Sequence, residues 1–257
     1  MISIRNTENL LGVTIRGDYD DFYNLVEAFY EVTIGDDSTK YKNYIDMSIR
    51  LLGLCYDVRH AYMGDRDLAF VENNLCDEKM KWHGVIAPRE NLYYEFNYLY
   101  PEMIYAMIAI DELINIRMEI LANKSSTAYN FYNNKKVIYD KTITTLRSFQ
   151  AAFAECVRET LTPNLYSRWL NSITKPYLSL SYMYQQYLDI VNLDYHEMPK
   201  DKRLKSFTAM TRRIADYFDN EEYREIKKEI MQTAKEYGCH EADIKLVSYD
   251  LPETIEW

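Results

Sequence analysis

Apolar residues recur every three to four positions along most of this chain, and they alternate with polar ones in only a few short stretches. The first alternation is Ile2 and Ile4, then Val13 and Ile15, on either side of 6–12; it predicts an N-terminal β-hairpin ended by Gly17. Asp18 and Asp21 then mark a helix start, because carboxylates there accept unpaired amide protons. Phe22, Leu25, Val26 and Phe29 follow at helical spacing. A second helix is expected over 42–63, with Ile45, Ile49, Leu52 and Tyr56 along one side, the face widened by Leu51, Leu54 and Cys55, and Gly64 as its cap. A short strand at 68–71 and a helical turn near 77–82 precede a strict alternation, Leu92, Tyr94, Phe96, Tyr98, Tyr100, which predicts a strand.

Pro101 suits the start of the next helix, which reads to about residue 123. It is apolar nearly all round except for Asp111, Asn115 and Glu119, the pattern of a central helix. The polar link 124–134 is the expected hinge. Beyond it helices are predicted over 136–160, from Thr162-Pro163, from Pro176, over 201–218 and over 221–237, the last closed by Gly238. The tail, 244–249, alternates and is expected to add a strand to the hairpin. The fold class is therefore mainly α: a multi-helix bundle with a small N-terminal β-hairpin and one or two further short strands (α+β). Residues 1–257 read as a single α-dominant domain, with a subdivision into 1–123 and 135–257.

Composition agrees. Seven glycines and six prolines in 257 residues are about 5%, against roughly 12% in ordinary chains, too few turn formers for a sandwich or propeller. The net charge of -10 is uneven: 1–123 hold 11 basic and 21 acidic residues, whereas 124–257 hold 19 of each. An acidic surface of this kind disfavours nucleic acid as a general partner. No stretch reaches the roughly 20 apolar residues that span a bilayer, and no basic, apolar leader opens the sequence, so no membrane association is expected. Cys55, Cys76, Cys156 and Cys239 are far apart and suit a reducing, cytoplasmic setting. Twenty-five tyrosines imply many half-buried boundary positions or an aromatic interface.

The sequence contains no phosphate loop, nucleophile elbow or HExxH motif. None of His60, His83, His196 and His240 follows a glutamate by three, so no metal or other cofactor is expected. The densest polar cluster is 56–67. Asp57 and His60, three apart on a helix, are expected to be neighbours, so that the carboxylate orients the imidazole as a general base, with Asp65 and Arg66 completing a catalytic group and arginine holding an anion. The competing reading is a helix end and loop tied by ion pairs. On the helix over 201–218, Lys202, Lys205, Arg212 and Arg213 fall on one face, an anion or partner-binding stripe or simply a solvated side. Trp82, His83, Glu95, Glu102 and the tyrosines of 92–100 are a third candidate, as the wall of a pocket.

The segments NLLGVTIRGDYDDF, LGLCYDVRHAYMGDRD and FVENN resemble an uncharacterised family of bacterial proteins, mostly from Firmicutes. That resemblance implies a bacterial cytosolic setting and carries no activity or site. The favoured function is a noncatalytic binding or interaction protein, self-associating through aromatic surface as a homo-oligomer or meeting another protein. The alternatives are a small hydrolase or transferase using 57–67, and nucleic-acid contact through the basic helix.

Overall fold

The computed structural model describes residues 1–35, 39–122, 133–174, 182–247, 251–252 and 254–257. The N-terminal hairpin forms as β1 (Ser3–Asn6) and β2 (Gly12–Gly17), with Ile4 opposite Ile15. Helix α1 (Tyr19–Val32) begins in a capping box: the Asp18 carboxylate accepts from the Asp21 amide at 2.8 Å, and the Asp18 amide donates to the Asp21 side chain at 3.2 Å. A 3-10 turn (Lys42–Tyr44) leads into α2 (Ile45–His60), which runs on into a π-helical turn (Ala61–Asp65). Gly64, at φ 89°, lets the chain leave that turn for β3 (Asp67–Glu72).

Helix α3 (Asp77–His83) separates β3 from β4 (Glu90–Leu99), and β4 passes directly into α4 (Tyr100–Leu121). Then come α5 (Lys135–Ile138), α6 (Lys141–Thr160), α7 (Pro163–Ile173), α8 (Tyr182–Glu197), α9 (Lys200–Ala215) and α10 (Glu221–Tyr237). The four strands form one antiparallel sheet in the order β1-β2-β4-β3. The protein is thus a mainly helical α+β fold, as its periodicity predicts. Among the described residues, no helix is long and apolar enough to cross a membrane.

The sheet turns Val13, Ile15 and Phe96 towards α1, where the Phe22 and Phe96 rings meet edge-on at 5.9 Å. Helix α4 is buried on nearly every side, from Met103 to Ile116, and packs against β2, β4, α1, α2, α6, α8 and α9. Hydrophobic burial of this kind is the main stabilising term of such a fold. Much of the core is tyrosine: Tyr100, Tyr105, Tyr184, Tyr187, Tyr195 and Tyr217 are fully buried. Their hydroxyls mostly find acceptors, as Tyr184 does on the Ile214 carbonyl (2.8 Å) and Tyr195 on the Leu10 carbonyl (3.1 Å). Of the twenty tyrosines whose burial is described, seven are buried, seven half-buried and six exposed, so the tyrosine excess is spread over core, boundary and surface.

Three expectations need correction. In α2 the core face is Met47, Leu51, Leu54, Cys55 and Val58, while Ile49 and Tyr56 are at least half exposed. The helix expected over 136–160 is broken at Tyr139 and restarted at Asp140, whose carboxylate accepts from the Ile143 amide at 2.8 Å. The tail from Ile244 to Val247 adds no strand: Ile244 and Leu246 pack on the core, and Gln186 bonds the Ile244 carbonyl at 3.0 Å. Residues 248–249 of that tail, nearly all of the proposed hinge at 124–134, and the Pro176 helix start lie outside the described residues.

Candidate functional site

The β-ladders leave part of β4 open. β3 pairs with β4 only as far as Asp67 opposite Glu95, whereas β2 continues along it to Leu99. From Phe96 to Leu99 one edge of β4 therefore has no strand beside it, among the described residues. A cleft of about 890 Å³ occupies that place. Its walls are β4, the outer side of α2 (Ile49, Gly53, Tyr56) and the tail residues Leu251, Ile255 and Trp257. The exposed Ile49 and Tyr56 thus have a role: they line a cleft instead of filling a core.

The cleft floor carries a charge network. Arg50 is clamped by Glu102, by Asp189 at 2.7 Å and by the Gln185 carbonyl at 3.0 Å. Burial alone would lower the Arg50 pKa, but the Glu102 and Asp189 carboxylates outweigh it and raise it, so the guanidinium stays charged. Asn192 donates to Glu102 at 2.5 Å, and its own buried oxygen has no partner among the described residues. Burial, then the nearby Glu102 charge, raises the Tyr98 phenol well above its usual range. Arg50 and Glu102 saturate each other, so this floor holds the cleft's shape.

The predicted catalytic group divides in two. Arg66 reaches Asp57 at 2.8 Å, and both line the cleft. His60 Nδ1 lies 2.8 Å from Asp65 Oδ2 and its ring lies 4.0 Å from the Tyr56 ring; neither His60 nor Asp65 lines the cleft. The expected Asp57–His60 pair is not formed. The π turn swings Arg66 back over α2 to take the Asp57 carboxylate, while Asp65 comes round to the imidazole. The result is two ion pairs tying a helix end to its loop.

The basic stripe also divides. Arg213 points at α8 and α10, where Asp194 (2.7 Å), Glu222 (2.8 Å) and the Tyr187 hydroxyl (3.3 Å) hold it. Lys202 and Lys205 are exposed, and Arg212 turns towards α7. These four do not make one continuous basic face. Of the third candidate, Glu95 is buried between Arg5 (3.2 Å) and Arg16 on the sheet's outer face. Trp82, its ring tilted against His83 at 5.3 Å, stands in solvent on α3, and of this group only Glu102 and Tyr98 reach the cleft.

A second surface was not legible as a site. Leu68 lies opposite Tyr94 and Phe70 opposite Leu92, so the four share one face of the β3–β4 arm. Further along the same face of β4, Phe96 is buried under the helices; at the arm it is uncovered, and Phe70 is 64% exposed. Tyr19 and Tyr23 of α1 meet Tyr62 of the π turn at 5.2 and 6.4 Å, and that turn packs against β3 and β4. With exposed Met63 they extend the apolar arm back to α1.

The fold is mainly helical α+β, with an antiparallel sheet that projects an apolar arm beyond its helical cover and keeps a cleft beside β4. The chain matches, over residues 2–257, the family described as a domain of unknown function (DUF6904), and it belongs to that family. No curated protein and no solved structure matches it.

Proposed function

We propose that this protein works by noncatalytic binding, and that its partner is a second copy of the chain docked on the β3–α3–β4 arm. The observation that carries the reading is the uncovered row of Leu68, Phe70 and Leu92, continued by Met63 and the Tyr19–Tyr23–Tyr62 cluster. Soluble chains seldom leave such a tract in water, and contiguous exposed apolar surface marks association sites. β3 is also an edge strand, so two copies can pair antiparallel about a two-fold axis, which sets the two apolar rows side by side.

The separation of His60 from Asp57 weighs against a hydrolase or transferase built on 57–67, and the diversion of Arg213 weighs against a helix that tracks nucleic acid. The setting we propose is the bacterial cytosol, with all four cysteines as thiols and Cys55 and Cys156 buried.

Sedimentation velocity tests the reading. The wild-type chain is expected to sediment as a dimer, more firmly as salt screens the repulsion between two acidic copies. Phe70→Glu with Leu92→Ser should give a folded monomer. A wild-type monomer at every concentration, or a dimer untouched by the double substitution, defeats the proposal.

A further inference from the structure

The chain has fourteen arginines, and twelve donate side-chain hydrogen bonds, most of them to carboxylates. The two that make none among the described residues are Arg168 and Arg212, and both line one cavity of about 440 Å³ between α7 and α9. Asn171 and Ser172 complete the α7 wall. Asp216, just past α9, closes one side and has a partner other than these two arginines. In a protein with ten more acidic than basic side chains, two arginines that line one cavity and donate no side-chain hydrogen bond among the described residues, beside an Asp216 engaged elsewhere, are an arrangement that an anion would complete.

We infer that this cavity binds a phosphate-class oxyanion, free or as a phosphomonoester, between Arg168 and Arg212. The planar fork of a guanidinium matches two oxygens of a phosphate, so two forks take a tetrahedral anion from two sides. The amide of Asn171, which makes no other side-chain hydrogen bond among the described residues, supplies a neutral donor. The Ser172 hydroxyl already donates its proton to the Arg168 carbonyl at 2.9 Å, so its role is structural. With Arg213 drawn away to Asp194 and Glu222, the basic character of α9 narrows to a point site, suited to a compact anion and not to a polyanion's length. The cavity lies apart from the β3–β4 arm and shares no residue with it.

The test is titration calorimetry with inorganic phosphate and with glycerol phosphate at constant ionic strength, chloride replacing phosphate in the control. Saturable binding of either is expected, the two arms separating free phosphate from a phosphoester. Arg168→Gln and Arg212→Gln should each weaken it roughly tenfold, about what one charged hydrogen bond contributes. Arg168→Lys should fall between, keeping charge but losing the fork, and Arg147→Gln, on α6 and bonded to Asp111 and Gln150 outside the cavity, should bind like wild type. Both variants are at exposed positions, and circular dichroism will show them folded. Binding unchanged in the Arg168→Gln/Arg212→Gln double variant, or no heat beyond the chloride control, overturns the inference.

Discussion

Asp140 shows how a single side chain can do two jobs where a periodic pattern sees none. It caps α6 through the Ile143 amide, and its two oxygens accept from Nε and Nη2 of Arg117, at 2.9 Å each. Arg117 in turn reaches Glu31 at 3.1 Å, so α1, α4 and α6 are joined through one guanidinium. Burial by itself would raise the Asp140 carboxyl, but the Arg117 hydrogen bonds and the α6 amides outweigh it and hold its pKa below the ordinary aspartate value. A carboxyl depressed in the folded state adds stability that is complete above its unfolded pKa and is lost as pH falls through the folded one. Asp140→Asn keeps a capping oxygen and removes the charge. It should cost about 2 kcal/mol at neutral pH. In urea unfolding followed across pH, the gap to wild type should close on the acid side; a gap that persists at low pH would show the charge to be irrelevant.

The elements were legible to the extent that one face of each was unambiguous. Phe22, Leu25, Val26 and Phe29 form the buried side of α1 as their spacing predicts, and Asp18 with Asp21 caps it. In α2 two apolar faces compete. Periodicity selects the line of Ile45, Ile49, Leu52 and Tyr56 widened by Leu51, Leu54 and Cys55; the core takes the widening residues together with Met47 and Val58, while Ile49 and Tyr56 border the cleft. Hydrophobic spacing cannot separate a cleft wall from a core wall, since both exclude water in part. Asp57 and Arg66 were picked out by polar density, yet their pairing passes through a π turn that 3.6-residue counting does not contain. The open edge of β4 depends on where β3 stops, a register that no single strand encodes. That edge rests on close strand contact at Gly12. A Cβ there would lie 2.0 Å from the Tyr98 carbonyl oxygen, a backbone atom that cannot swing aside. Gly12→Ala should therefore force β2 from β4 and unfold the chain or cost more than about 3 kcal/mol. A melting temperature within a degree of wild type would contradict this account of the sheet.

At the scale of the whole molecule, the two sequence halves hold each other up. The hairpin loop is fastened by residues nearly two hundred positions away: Tyr195 donates to the Leu10 carbonyl at 3.1 Å and Arg203 to the Asn9 carbonyl at 2.7 Å. β1 packs on α6, where Asn6 reaches the Thr160 hydroxyl at 2.9 Å, and Phe29 meets Phe149 edge-on at 6.2 Å. The central α4, encoded in the first half, is covered by α8 and α9 of the second, and one cluster of buried residues extends from Leu11 to Ile230. A helix apolar on nearly all sides has no stable surface once its cover is removed. We therefore expect 1–257 to unfold as one unit, with a single calorimetric transition whose van't Hoff and measured enthalpies agree. Expressed separately, 1–123 should aggregate through α4, and 135–257 should show helix without fixed tertiary packing, since α8 and α9 would have lost the surface they cover. Dispersed amide spectra from either fragment alone would mean that the subdivision is a true domain boundary, and that the fastenings at Asn9 and Leu10 join two bodies instead of completing one.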